Sequence, residues 1–144
     1  MSADILPTPT YLPGYEAVVA AFGYWPSFHD APLLSLEQSD TSLAMLIHAD
    51  EMTGEVDERG FFGSIKHHLV RFRFSGVRDF ALRQFDVPNT LFEIVFSDPA
   101  EFSSTGRFTV TLQSVMGGGC DATFTAASGE VSSVMPCDEE GNPA

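Results

Sequence analysis

Short runs in which apolar and polar residues alternate occupy most of the chain from Ala31 onward. These runs are rich in β-branched and aromatic residues, and turn-forming stretches separate them, which is typical of half-buried strands. Strands are predicted at 33–38, 43–49, 67–74, 80–85, 91–97, 107–114, 120–126 and 130–135. Because too little helix remains for parallel crossovers, the predicted fold is mainly β within the α+β class. It is an antiparallel sheet, sandwich or open barrel of about eight short strands.

One helix is predicted ahead of these strands. Tyr15, Val18, Val19 and Phe22 follow the i, i+3, i+4, i+7 spacing of an amphipathic helix, and Gly23 is placed to end it. We expect this helix to pack on the sheet. The chain is predicted to form a single domain over 1–144, with an extended proline-containing lead-in at 1–13, a globular part at 14–136 and an acidic tail at 137–144.

The charge balance narrows the classes of partner. The chain has 20 Asp and Glu against 7 Lys and Arg, a net charge of −13. This disfavours nucleic acid, because a nucleic-acid binder needs bases to neutralise phosphates. An apolar content of 44% with 13 Phe argues against disorder. No signal-peptide pattern and no apolar run of about 18 residues is visible, so we expect no export, no membrane partner and a cytoplasmic location.

No metal site and no cofactor are predicted. Cys120 and Cys137 lack the spacing of zinc ligands. They would lie near each other across the last predicted hairpin, but a reducing cytoplasm disfavours a disulfide. His67 and His68 are adjacent on a predicted strand and therefore point to opposite faces, while His48 has no suitably spaced second histidine.

The charges are unevenly distributed along the chain. Residues 1–60 hold ten carboxylates and Arg59 as their one base, whereas five of the other six bases fall within 66–83. Arg71 and Arg73 alternate with apolar residues on one predicted strand, so their face is either solvated and ion-paired or a recognition patch. The segment 50–60 is expected to be an acidic loop, either simply solvated or a patch for a basic partner. The candidate partner-binding residues are Glu37, Asp40, Asp50, Glu51, Glu55, Asp57 and Glu58.

The densest group of chemically capable side chains joins the predicted helix to the first strand. It contains Trp25, Ser27, Phe28, His29 and Asp30. In one interpretation the two aromatic residues plug the helix onto the sheet, and the histidine and aspartate bond the backbone of a buried corner. In the alternatives the segment is a binding surface, or the His-Asp pair or a Ser-His relay performs catalysis.

The run from Phe22 to Ala31 resembles the W-x-S-F-H-D-A signature of the immunity protein 50 family, small proteins encoded beside bacterial polymorphic toxins. The stretch 72–77 is similar to that family's F-x-G-V segment. At position 32 the family usually has an acid, whereas this chain has Pro32.

The resemblance implies a cytoplasmic inhibitor, not an enzyme, that binds and occludes a cognate toxin domain. Electrostatic steering would then favour a basic toxin as the partner. The alternative is a small β-fold hydrolase or ligand-binding protein that uses His29 and Asp30.

Overall fold

The computed structural model describes residues 8–26, 28, 31–56, 58, 62–83, 89–114, 121–138 and 140–142. Every predicted strand is present, and the predicted helix spans the expected residues and ends at Gly23, whose N–H donates to the carbonyl of Val19 at 2.7 Å. The helices are α1 (Tyr15–Phe22) and α2 (Pro99–Thr105). The strands are β1 (Pro32–Ser39), β2 (Ser42–Val56), β3 (Phe62–Ser75), β4 (Arg78–Arg83), β5 (Asn89–Phe96), β6 (Phe108–Ser114), β7 (Asp121–Ala126) and β8 (Ser128–Pro136).

All the strand pairs are antiparallel, in the order β4-β7-β6-β5-β1-β2-β3-β8. The strands form two four-stranded halves, the first of β1, β2, β3 and β8 and the second of β4, β5, β6 and β7. A short pairing of Pro32 and Leu33 with β5 joins the halves on one side. At the other side, the turn from β3 to β4 at Gly76 lies against the turn from β7 to β8 at Ala127. The N–H of Ala127 donates to the carbonyl of Ser75 at 3.0 Å. The mainly β, antiparallel prediction is therefore confirmed.

The core lies between the two halves and is built from phenylalanines. On β3 the side chains of Phe72 and Phe74 point inward, as the alternation predicts, and both are buried. Their rings contact Phe96, Phe108 and Phe124 of the second half at centroid distances of 5.1–6.4 Å. Burying a phenylalanine side chain contributes about 1.5–3 kcal/mol, so these contacts are a main force that holds the halves together.

Of the extended lead-in predicted at 1–13, the structure describes residues 8–13, and these are not extended. From Pro9 onward the chain makes successive turns, and Leu12 is fully buried in the core. The carbonyl of Pro13 accepts a hydrogen bond from the N–H of Val131 on β8 at 2.8 Å. Burial of one large apolar side chain explains why this part packs on the sheet instead of extending away.

Helix α2 and the hairpin of β2 and β3 depart from the sequence prediction. Helix α2 was not predicted, although Asp98 caps it by accepting from the N–H of Ala100 at 2.8 Å and Pro99 occupies its first turn. Strand β2 continues to Val56, and strand β3 starts at Phe62. Most of the segment 50–60, which was predicted to be an acidic loop, therefore belongs to a strand of this hairpin. Within the described residues, no helix is long and apolar enough to cross a membrane.

Candidate functional site

The corner between α1 and β1 places the aromatic side chains of the sequence motif in the core. Trp25 is 8% exposed and Phe28 is 3% exposed, and their rings contact each other and the ring of Phe72. Phe28 has a positive φ of 62°, which turns the chain sharply at this corner. Ser27, His29 and Asp30 lie outside the described residues, so their proposed roles stay predictions.

The acidic candidates do not form one patch. Glu37 and Asp40 lie at the β1–β2 turn, and both are exposed. Asp50, Glu51 and Glu55 lie on the far part of β2, and Glu58 is exposed beyond its end. Glu37 pairs with Ala44, and the six residues from there to Asp50 span roughly 20 Å of extended chain. The residues therefore divide into two groups near opposite ends of β2, and Asp57 lies outside the described residues.

The outer face of the first half carries a row of charged side chains. Ala44 on β2 pairs with Glu37 on one side and with Arg73 on the other, and Arg73 pairs in turn with Glu130 on β8. Glu37, Arg73 and Glu130 are exposed, as expected for a solvated strand face. A shallow groove of about 240 Å³ adjoins the row at Ser42.

Two of the described bases are held by internal hydrogen bonds. The Lys66 Nζ donates to the carbonyl of Phe22 at 2.9 Å and to Glu51 Oε1 at 3.3 Å. The Arg107 guanidinium donates to the carbonyl of Gly76 at 2.5 Å and to Thr125 Oγ1 at 3.0 Å. These two positive charges are consequently tied to the fold, whereas many of the carboxylates face solvent.

A cluster of side chains fastens the far part of β2 to the end of α1. The Tyr24 hydroxyl donates to Glu51 Oε1 at 2.8 Å, and Lys66 Nζ lies 6.0 Å from the centre of the Tyr24 ring. Desolvation, together with the bond to the carboxylate, raises the pKa of Tyr24 to about 12. The same bond, helped by Lys66, lowers the pKa of Glu51. We call Tyr24, Glu51 and Lys66 the α1 clamp.

A histidine pair lies on the outer face of β2 and β3, and the sequence reasoning missed it. His48 is 7% exposed, and its Nε2 lies 2.9 Å from Nδ1 of His67. Asp50 Oδ2 is 3.8 Å from the same Nδ1. Burial and the neighbouring His67 lower the pKa of His48, while Asp50 and Asp138 act in the opposite direction. Reading this pair from sequence would have required the exact strand register, which a bulge near Asp50 shifts.

The segment after β8 covers this pair, although it was predicted as a tail. The N–H of Cys137 donates to the carbonyl of His67 at 3.0 Å. The side chain of Cys137 is a buried free thiol, and desolvation raises its pKa. Asp138 accepts from the N–H groups of Glu140 and Asn142 and thereby closes a turn over His48. Cys120 lies outside the described residues. Among the residues whose placement is given, no group of three or more His, Cys, Asp or Glu side chains could hold a metal ion.

Comparison of the chain with known protein families, with curated proteins and with solved structures found no match.

Proposed function

We propose that this protein is a cytoplasmic inhibitor that binds a basic toxin domain and neutralises it by occlusion, without catalysis. The proposal starts from the resemblance of residues 22–31 to the immunity protein motif. An inhibitor of this kind needs a stable surface for binding and no turnover of substrate.

The surface charge is the observation that carries the proposal. Glu37, Asp40, Glu58, Glu130 and Asp138 all face solvent. Lys66 and Arg107, in contrast, donate to backbone carbonyls of this chain. These five acids give the described surface exposed negative charge, and the net charge of −13 would speed association with a basic protein and make the association rate depend on salt.

A toxin domain that acts on nucleic acid has a basic surface for the phosphates, and such a surface fits an acidic inhibitor. Occlusion then requires that the inhibitor reach this surface before the substrate is damaged and that it stay bound there. Rates above the ordinary range of about 10⁵–10⁷ M⁻¹s⁻¹ are typical of electrostatically steered pairs.

The proposal predicts a gene for a toxin domain directly upstream of the gene for this protein, and co-expression of the two tests it. Cells that express the toxin domain alone should stop growing, and cells that also express this protein should grow. The two purified proteins should form a complex whose association slows at least tenfold between 50 mM and 500 mM salt, following the screening of charge. Absence of rescue together with absence of a complex at 50 mM salt would contradict the proposal.

A further inference from the structure

The β2–β3 hairpin extends beyond the rest of the sheet. The last partner of β1 on β2 is Ile47, and the last partner of β8 on β3 is His68. In the described pairings, only β2 and β3 pair with each other farther out, through Glu51 with Ile65 and Val56 with Phe62. We call residues 50–56 and 62–66 the β2–β3 arm. Seven residues of β2 lie in this arm, a length of roughly 23 Å.

Both edges of the arm therefore lack a neighbouring strand among the described residues. A two-stranded ribbon alone is only marginally stable in water, so the arm depends on its attachment to the body. The α1 clamp provides that attachment at the base, since Lys66 bonds both the end of α1 and Glu51. Lys66 itself adopts a positive φ of 58°, an unusual backbone conformation that lies next to the shift of strand register.

Large apolar side chains are exposed at the base of the arm. Tyr24 is 48% exposed and Ile65 is 44% exposed, and both neighbour Glu51, the first by a hydrogen bond and the second by strand pairing. Tyrosine is among the residues that contribute most to protein interfaces, and an adjoining aliphatic side chain adds apolar area to bury.

The charge of the segment indicates the partner. Residues 50–66 contain five carboxylates and two bases, and one of each, Glu51 and Lys66, is paired with the other in the α1 clamp. Asp50 lies at the base of the arm, and Glu58 is exposed just beyond the end of β2. A second copy of this acidic chain would be repelled, whereas a basic concave surface would attract the arm.

We infer that the β2–β3 arm is the contact surface and that it enters the basic substrate cleft of the toxin domain. This inference rests on the proposed function. Glu58, exposed just beyond the end of β2, occupies the position of a substrate phosphate, and Tyr24 and Ile65 pack against the rim of the cleft.

Two matched pairs of variants test the inference on the full chain, with a catalytically inactive form of the upstream-encoded toxin domain as the probe. The first pair is Ile65→Ala and Leu34→Ala, which shorten exposed aliphatic side chains on the arm and on β1. Ile65→Ala should raise Kd at least tenfold, mainly through faster dissociation, and Leu34→Ala less than twofold.

The second pair is Glu58→Lys and Glu37→Lys, which change the net charge equally. Glu58→Lys should slow association at 50 mM salt at least fivefold, and Glu37→Lys less than twofold.

The outcomes separate the two proposals. Equal effects within each pair, or larger effects of Leu34→Ala and Glu37→Lys, would show that the arm is not the contact surface. The wild-type complex would in that case still support the proposed inhibitor. Absence of any wild-type complex would instead remove the proposed function. Glu58 is exposed outside the regular strands, so Glu58→Lys gives an answer even if Ile65→Ala disturbs the hairpin.

Discussion

The contact between His48 and His67 admits only some protonation states. At 2.9 Å one imidazole nitrogen must donate and the other must accept, so at most one of the two facing nitrogens carries a hydrogen. The groups around His48 are His67, Asp50 on its own strand, and Cys137 and Asp138 from the segment that covers it. Burial, followed by the neighbouring His67, lowers the pKa of His48, whereas Asp50 and Asp138 act in the opposite direction.

Stability should depend on pH through this residue. The pKa of His48 in the folded protein is lowered, so the unfolded chain binds more protons as the pH falls below about 6.5. The free energy of unfolding should therefore be fully retained above that pH and decrease between pH 6.5 and 5.5, by at most about 1.4 kcal/mol per pH unit for one proton. Urea unfolding of wild type and His48→Gln at pH 7.5, 6.5 and 5.5 measures this.

In His48→Gln the free energy of unfolding should decrease less between pH 6.5 and 5.5. In His68→Gln, which alters a histidine on the opposite face of β3, it should decrease as in the wild type. A wild-type slope that His48→Gln leaves unchanged would show that another group is responsible.

At the scale of secondary-structure elements, two glycines set the ends of α1. Gly14 and Gly23 have φ values of 92° and 87°, in the left-handed region that favours glycine. They differ in their surroundings. A Cβ at Gly14 would collide with the carbonyl oxygen of Val131, whereas a Cβ at Gly23 would meet open space. Gly14 is therefore required both for its conformation and for the close approach of α1 to β8.

Alanine at each position separates these two requirements. Gly23→Ala should cost about 1–2 kcal/mol because of the left-handed conformation alone. Gly14→Ala should cost about 1–3 kcal/mol more, because the backbone of β8 must also shift. Urea unfolding of both variants gives the difference, and equal losses of stability would refute the role assigned to the contact with Val131.

The elements that the sequence predicts and those that it misses have different physical origins. The strands of the core follow from alternation because one face is buried, as Phe72 and Phe74 show. The arm lacks that pattern, since Thr53 and Gly54 interrupt the apolar positions of β2. Helix α2 packs Phe102 against the core but buries no side chain fully, so it lacks an apolar stripe and only its end signals could have revealed it. The His48–His67 contact depends on a register that no local pattern encodes.

At the scale of the whole molecule, the phenylalanine contacts between the halves hold the fold together. Phe72 connects them to the aromatic residues of the α1–β1 corner, with ring contacts to Phe96 on one side and to Trp25 and Phe28 on the other. Phe72→Ala should lower the free energy of unfolding by about 3–5 kcal/mol. Phe80→Ala, at a half-buried position of β4, should cost clearly less. Guanidinium unfolding followed by circular dichroism compares them, and similar losses would contradict this role of Phe72.

Trp25 and Phe28 of the sequence motif belong to this aromatic core, and the exposed acids lie on the surface outside it. The pairing of strands in the first half also sets where the acids lie, with Glu37 and Asp40 at one end and the β2–β3 arm at the other.

The proposed binding of a basic toxin domain through charge is tested most directly by an association rate. The wild-type protein is mixed with the inactive, upstream-encoded toxin domain and followed by stopped flow from 50 to 500 mM salt. We expect a stable complex that forms at about 10⁷ M⁻¹s⁻¹ or faster at about 50 mM salt and at least tenfold more slowly at 500 mM. No complex, or an association rate that does not change with salt, would contradict it.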